Sequence, residues 1–259
     1  MGVLLGAMSA SQGLPDTLAE DLNEIKTYLK TQDHLCAPTI QAFLVRYDVL
    51  GQAPLIRAAS SLFNDSDLLE ALLDNWEGLL DPITFVKFIY AFCLIQEVSI
   101  TYGLFLESGG STELLRAMDT DVKSKELIFY GARCLAVLSA NPGLRASLSE
   151  GDGISLLVDC LHYHKKDPMT AVVLLVLMAN LSYKNPVSKK AFADSNGIAI
   201  TTSIVTANPN NSSVLMSCLH VLRHVTSNDR DVKAAEAKNR SHILKEVVTA
   251  LKNHTQNEP

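Results

Sequence analysis

Ala171-Val-Val-Leu-Leu-Val-Leu-Met-Ala-Asn180-Leu-Ser182 is the stretch on which the fold turns. Leu174, Leu177, Met178 and Leu181 stand at i, i+3, i+4 and i+7, which on a helix is one continuous apolar stripe. The same template recurs on both sides. Upstream it reads Gly131, Cys134, Leu135, Leu138, then Ala91, Leu94, Ile95, Val98, then a weaker Leu55, Ala58, Ala59, Leu62. Downstream it reads Cys218, Val221, Leu222, Val225. The closing positions 62, 98, 138, 181 and 225 are separated by 36, 40, 43 and 44 residues. One amphipathic helix says little, but helical repeats have periods of about 40 to 47 residues, and these spacings cluster near that range.

The segment after each stripe recurs as well. Ser-Ala-Asn-Pro142, Ser-Tyr-Lys-Asn-Pro186 and Thr-Ser-Asn-Asp229 end one helix and open a turn. A short helical segment comes next, then a glycine break: Leu106-Glu-Ser-Gly-Gly110, Leu148-Ser-Glu-Gly-Asp-Gly-Ile154 and Phe192-Ala-Asp-Ser-Asn-Gly-Ile198. Glycine there allows a sharp turn into a longer helix. Each unit reads as a short helix, a glycine corner and two longer helices.

With Met178-Ala-Asn-Leu-Ser182 and Leu106-Glu-Ser-Gly-Gly110, the chain resembles the armadillo-repeat family over about residues 85 to 251, and more weakly from 38 to 84. The resemblance implies an all-α, right-handed superhelical solenoid of about five armadillo-like repeats with helical caps, occupying residues 15–251 as a single domain. A cap is expected at about 15–37, where Thr17-x-x-Glu20 reads as a capping box and Leu18, Leu22, Ile25 and Leu29 form a narrow apolar stripe. Asp231 to Arg240 is polar and departs from the other units. Residues 252–259 read as a polar tail, and 1–14 as a flexible N-terminus or an expression remnant.

Composition bounds the function. Hydrophobic residues make up 47% of the 259, enough for a sizeable core. The formal net charge of −6 gives no general attraction for nucleic acid or anionic lipid. The five cysteines (Cys36, Cys93, Cys134, Cys160, Cys218) form no CxxC pair and read as reduced, buried thiols of a cytoplasmic protein, with the nucleus as the alternative. No apolar run approaches the roughly 20 residues of a membrane span. A lipid anchor is not expected, because Gly6 stands where a myristoylation signal wants Ser or Thr.

The resemblance implies that the third helix of each unit lines a concave groove. The groove residues are then Ser61 and Arg57, Glu97 and Cys93, Val137 and Arg133, Asn180 and Val176, His224 and His220. Of these, Arg57, Glu97, Arg133, Asn180, His220 and His224 are the expected partner-binding residues. Peptide-binding armadillo proteins carry an asparagine ladder, since an amide both donates and accepts. Here only Asn180 keeps it, and the sole tryptophan, Trp76, lies outside the ladder helices. That departure argues against recognition of a basic nuclear-import peptide and for a mixed groove fitting a protein segment or helix. Alternatively, Asn180 satisfies backbone groups between repeats.

His220 and His224 share a helix face at zinc-compatible spacing, but no HExxH pattern or third ligand accompanies them. His162, His164, Lys165 and Lys166 read as a solvated basic turn. Gly151-Asp-Gly153 lacks the GxxxxGK[ST] spacing of a phosphate loop, and a helix corner accounts for it. No GxSxG or paired Cys/His motif is present. The expectation is a non-catalytic scaffold or adaptor with no cofactor and no metal. The alternatives are a regulatory armadillo domain of the formin or myosin-chaperone type, a nucleic-acid-binding helical repeat, and an enzyme built on a solenoid.

Overall fold

The computed structural model describes residues 20–46, 66–95, 103, 105–149 and 151–226, together with 245, 248, 249 and 252. Every regular element among the described residues is helical, and no strand occurs among them. The chain divides into two compact units, residues 1–113 and 114–259.

In the first unit, α1 covers residues 20–31, α2 Cys36–Arg46, α3 Ser66–Asn75 and α4 Pro82–Ile95. Leu22, Ile25 and Leu29 of the expected cap stripe are buried on α1. α2 packs on α4, where the Phe43 and Phe88 rings meet edge to face. Trp76 is buried just after α3, stacked on Phe85 at 4.4 Å, and its indole Nε1 donates to Glu113 Oε2 at 2.9 Å. The polar edge thus finds a partner while the ring fills the core.

α5 is Gly110–Asp119. In the second unit come α6 (Lys125–Leu138), α7 (Pro142–Leu148), α8 (Gly153–Tyr163), α9 (Pro168–Ser182), α10 (Pro186–Asp194), α11 (Gly197–Ala207) and α12 (Ser212–Val225). The order short helix, glycine corner, helix, helix therefore occurs twice in full, as α7–α8–α9 and as α10–α11–α12. α9 lies between α6 and α12 and packs on both. The apolar stripes predicted on these helices are the buried ones: Cys134, Leu135 and Leu138; Leu174, Leu177, Met178 and Leu181; Cys218, Val221, Leu222 and Val225.

Local chemistry sets each boundary. Asn141 and Asn185 cap α7 and α10, each followed by proline at the first helical position, and each side-chain oxygen accepts from backbone N–H groups of the opening turn. Ser124 and Asn211 cap α6 and α12 in the same way. At the corners, Gly109, Gly151 and Asn196 adopt left-handed backbone with φ of +69°, +59° and +63°. The glycine opening the next helix is required by packing. A Cβ on Gly197 would sit 2.5 Å from the Phe192 ring, and one on Gly110 would sit 2.4 Å from the Phe105 ring.

Hydrogen bonds in the second unit join elements about one sequence period apart. His164 Nε2 meets Val122 O at 2.9 Å, Asn180 Nδ2 donates to Ser139 Oγ, Asn185 Nδ2 donates to Ser149 Oγ, and Asn208 Nδ2 donates to Lys165 O. Their partners are 42, 41, 36 and 43 residues apart.

The structure corrects two expectations. His164 is no solvated turn residue: it is 6% exposed, and its ring nitrogen finds a partner in the Val122 carbonyl. Cys93 does not face a groove but is buried on α4. All five cysteines are free and buried, and burial pushes the thiols of Cys160 and Cys218 up to about 12. Such thiols stay protonated and unreactive at neutral pH.

Candidate functional site

Because α6, α9 and α12 stand side by side, the sides turned away from their buried stripes form one face. Arg133 is exposed on α6, Val176 (39%) and Met169 (63%) on α9, and Met216 (67%) on α12. Asn180 and His224 are half-buried, and His220 is exposed. Arg57, Ser61 and Glu97 lie outside the described residues.

The four described site residues divide between two depressions. Toward the helix N-termini, a groove of about 450 Å³ is lined by Phe129, Arg133, Pro168, Met169, Val172 and Val173, with Asn211 and Ser213 at the α12 end. Arg133 lies over the Phe129 ring, 5.4 Å from its centroid. A helical side chain leans toward the N-terminus of its helix, so Arg133 belongs to this end rather than to the level of Asn180.

Toward the C-termini, a pocket of about 380 Å³ brings Asn180, His220 and His224 together with Ser139, Ala140, Arg145, Ala179, Tyr183 and Arg223. Asn180 Nδ2 donates to Ser139 Oγ at 2.9 Å, and that hydroxyl donates to Ala136 O. The amide therefore ties α9 to the end of α6 through a side-chain hydroxyl rather than a backbone group, while its Oδ1 accepts from no described residue. One period on, His224 stands where Asn180 stood and Ser182 where Ser139 stood. The imidazole turns to His220 instead, and the buried Ser182 hydroxyl has no hydrogen-bond partner among the described residues.

His220 and His224 approach to 2.8 Å between their Nε2 atoms, so one ring nitrogen must donate and the other accept. The Tyr183 ring meets His224 edge-on at 5.4 Å. Burial holds the His224 imidazole below its ordinary range, helped by the nearby charges of His220, Arg223 and Lys189. The folded state thus binds this proton less readily than the unfolded chain does. Stability carried by His224 is present above about pH 6.5 and is lost as pH falls below it. Thermal melts between pH 7.5 and 5.5 are expected to show a smaller drop in Tm for His224→Gln than for the parent chain.

Sequence reasoning missed Arg145, Tyr183 and Arg223. Arg145 reaches back from α7, where Nη1 donates to Ser139 O at 2.9 Å and Ala140 O at 3.1 Å, capping the end of α6. An arginine in the turn after an Asn-Pro helix start was the available signal. No group of three or more His, Cys, Asp or Glu gathers as a metal site among the described residues. No described helix is long and apolar enough to cross a membrane. No protein-family model matches this chain, and no curated protein matches it.

Proposed function

We propose that the chain is a non-catalytic helical-repeat module of the armadillo type, and that it binds a segment of a partner protein along the face of α6, α9 and α12. The observation carrying this reading is that face itself. Met169, Val176 and Met216 stay exposed on helices whose apolar stripes are buried, and Met169 also lines the Arg133 groove. Exposed apolar surface grouped on one face, with polar groups at its margins, is the usual mark of an interaction site. The recurring order of helices and corners, and hydrogen bonds spanning one period, support the repeat reading.

Nucleic acid fits this face less well. Arg133, Arg145 and Arg223 are spread over an otherwise neutral and apolar surface, short of the basic stripe such binding needs.

The test is affinity capture from native lysate with three baits: the parent chain, Arg133→Glu/Asn180→Ala, and a control, Asp159→Ala, at an exposed position of α8. Circular dichroism confirms that each bait is folded. The reading expects the same partner on parent and control and its loss from the double variant. Identical partner sets on all three baits would place binding elsewhere.

A further inference from the structure

Asn196 is the only asparagine in the chain that is followed by glycine. Such a pair can react with itself. The glycine nitrogen gives up its proton to hydroxide and attacks the asparagine side-chain carbonyl. A bond forms from Gly197 N to Asn196 Cγ, the Cγ–Nδ2 bond breaks, and ammonia leaves. Water then opens the cyclic imide. Opening at Cγ yields aspartate, whereas opening at the main-chain carbonyl yields isoaspartate, whose backbone is one methylene longer.

Two features leave these atoms ready to react. Asn196 is exposed, and its carboxamide accepts from no N–H of α11. Gly197 opens α11, so its N–H has no partner within the helix. Other asparagines at helix starts are held back. Asn141 and Asn185 precede proline, which has no N–H, and Asn211 Oδ1 accepts from Val214 N at 3.0 Å.

The folded corner holds the reaction off. Asn196 sits in the left-handed region, at φ 63° and ψ 19°. At that ψ the Gly197 nitrogen lies on the opposite side of the Cα–C axis from Cβ. The imide ring therefore closes only after a large rotation of the Asn196–Gly197 peptide. Hydrogen bonds anchor the chain on both sides of it: Asn196 N donates to Ala193 O, and Ile200 N donates to Asn196 O, both at 3.1 Å. The Phe192 ring leaves Gly197 no room, since even a methyl group there would sit 2.5 Å from it.

We propose that Asn196–Gly197 is a latent self-modification site, closed while the α10–α11 corner is packed, and that its isoaspartyl product keeps an opened corner from closing again. The added methylene displaces Gly197 against Phe192, where there is no slack. The aspartyl product leaves the corner intact. It tolerates the left-handed region and places a carboxylate at the N-terminus of α11. Loss of the corner is thereby recorded in the chain as a covalent change.

The experiment incubates the full chain in mildly alkaline buffer, with and without guanidinium chloride. Residue 196 is followed by peptide mass spectrometry, with fragmentation that separates isoaspartate from aspartate. Product is expected in guanidinium chloride, and its formation should be about tenfold or more slower in native buffer. Phe192→Leu, which loosens the corner, should raise the native-buffer rate. Asn196→Gly, which suits the left-handed position, should remove the product. After return to native buffer, the urea midpoint should fall in proportion to isoaspartate content. An Asn196→Gly chain treated identically should show no such fall, and Asn196→Asp should match the parent. Equal rates in the two buffers would overturn the closed state, whether or not Phe192→Leu folds. Absence of product in guanidinium chloride would overturn the site itself. Isoaspartyl chains with the parent's midpoint would overturn the block on re-closure.

Discussion

Truncating Phe192 to alanine is expected to destabilise the second unit by about 3–5 kcal/mol, the range for emptying a buried aromatic site. The ring is fully buried, and it lies directly on Gly197, which opens α11. It therefore fills the corner between α10 and α11 and fixes how closely the two helices approach. The converse change attacks the same contact from the other side. Gly197→Ala places a methyl group 2.5 Å from ring carbons that cannot move aside without shifting the helix. Overpacking of this kind costs about 1–3 kcal/mol. Because the two residues touch, their effects are coupled. Phe192→Leu combined with Gly197→Ala should cost less than the sum of the single changes, which urea denaturation followed by circular dichroism would measure. Additive costs would show that the ring and the glycine do not meet.

Leu181→Ala is the second large effect, about 2–5 kcal/mol. Leu181 is fully buried at the end of α9, the helix that packs on both α6 and α12. A cavity there is bordered by two packed elements at once, so neither can collapse into it alone. The loss should appear as a lower urea midpoint. A change at exposed Met216 on α12 should leave that midpoint nearly unmoved. A Leu181→Ala midpoint equal to the parent would mean that α9 is not held between its neighbours.

Much of the helical pattern was legible because burial and helical period coincide. Leu174, Leu177, Met178 and Leu181 share one stripe of α9, and all four are buried as that stripe packs into the core. The glycine corners were legible as turns, but not the reason for the glycine. That reason lies in a ring five residues upstream, Phe105 for Gly110 and Phe192 for Gly197, and shows only when the helices are packed.

The site was legible in part. The i, i+4 spacing of His220 and His224 and the 44-residue step from Asn180 to His224 placed these three on one face, and the structure joins them in one pocket. Arg133 shares that ladder, yet its long side chain leans into a different groove. Arg145 and Tyr183 enter from segments that come after the long helices, where apolar periodicity carries no signal. His164 was misjudged because its polarity suggested solvent, whereas a carbonyl 42 residues away keeps it inside.

The stacking of successive helix triplets is tested most directly by side-chain amide contacts in a NOESY spectrum of the labelled chain. The account predicts cross-peaks from the Asn180 amide protons to the Ser139 β-protons, from Asn185 to Ser149, and from Asn208 to Lys165, all in one sample. Helical chemical shifts in α6, α9 and α12 without any of these three contacts would contradict it, since the helices would then exist without standing one period apart.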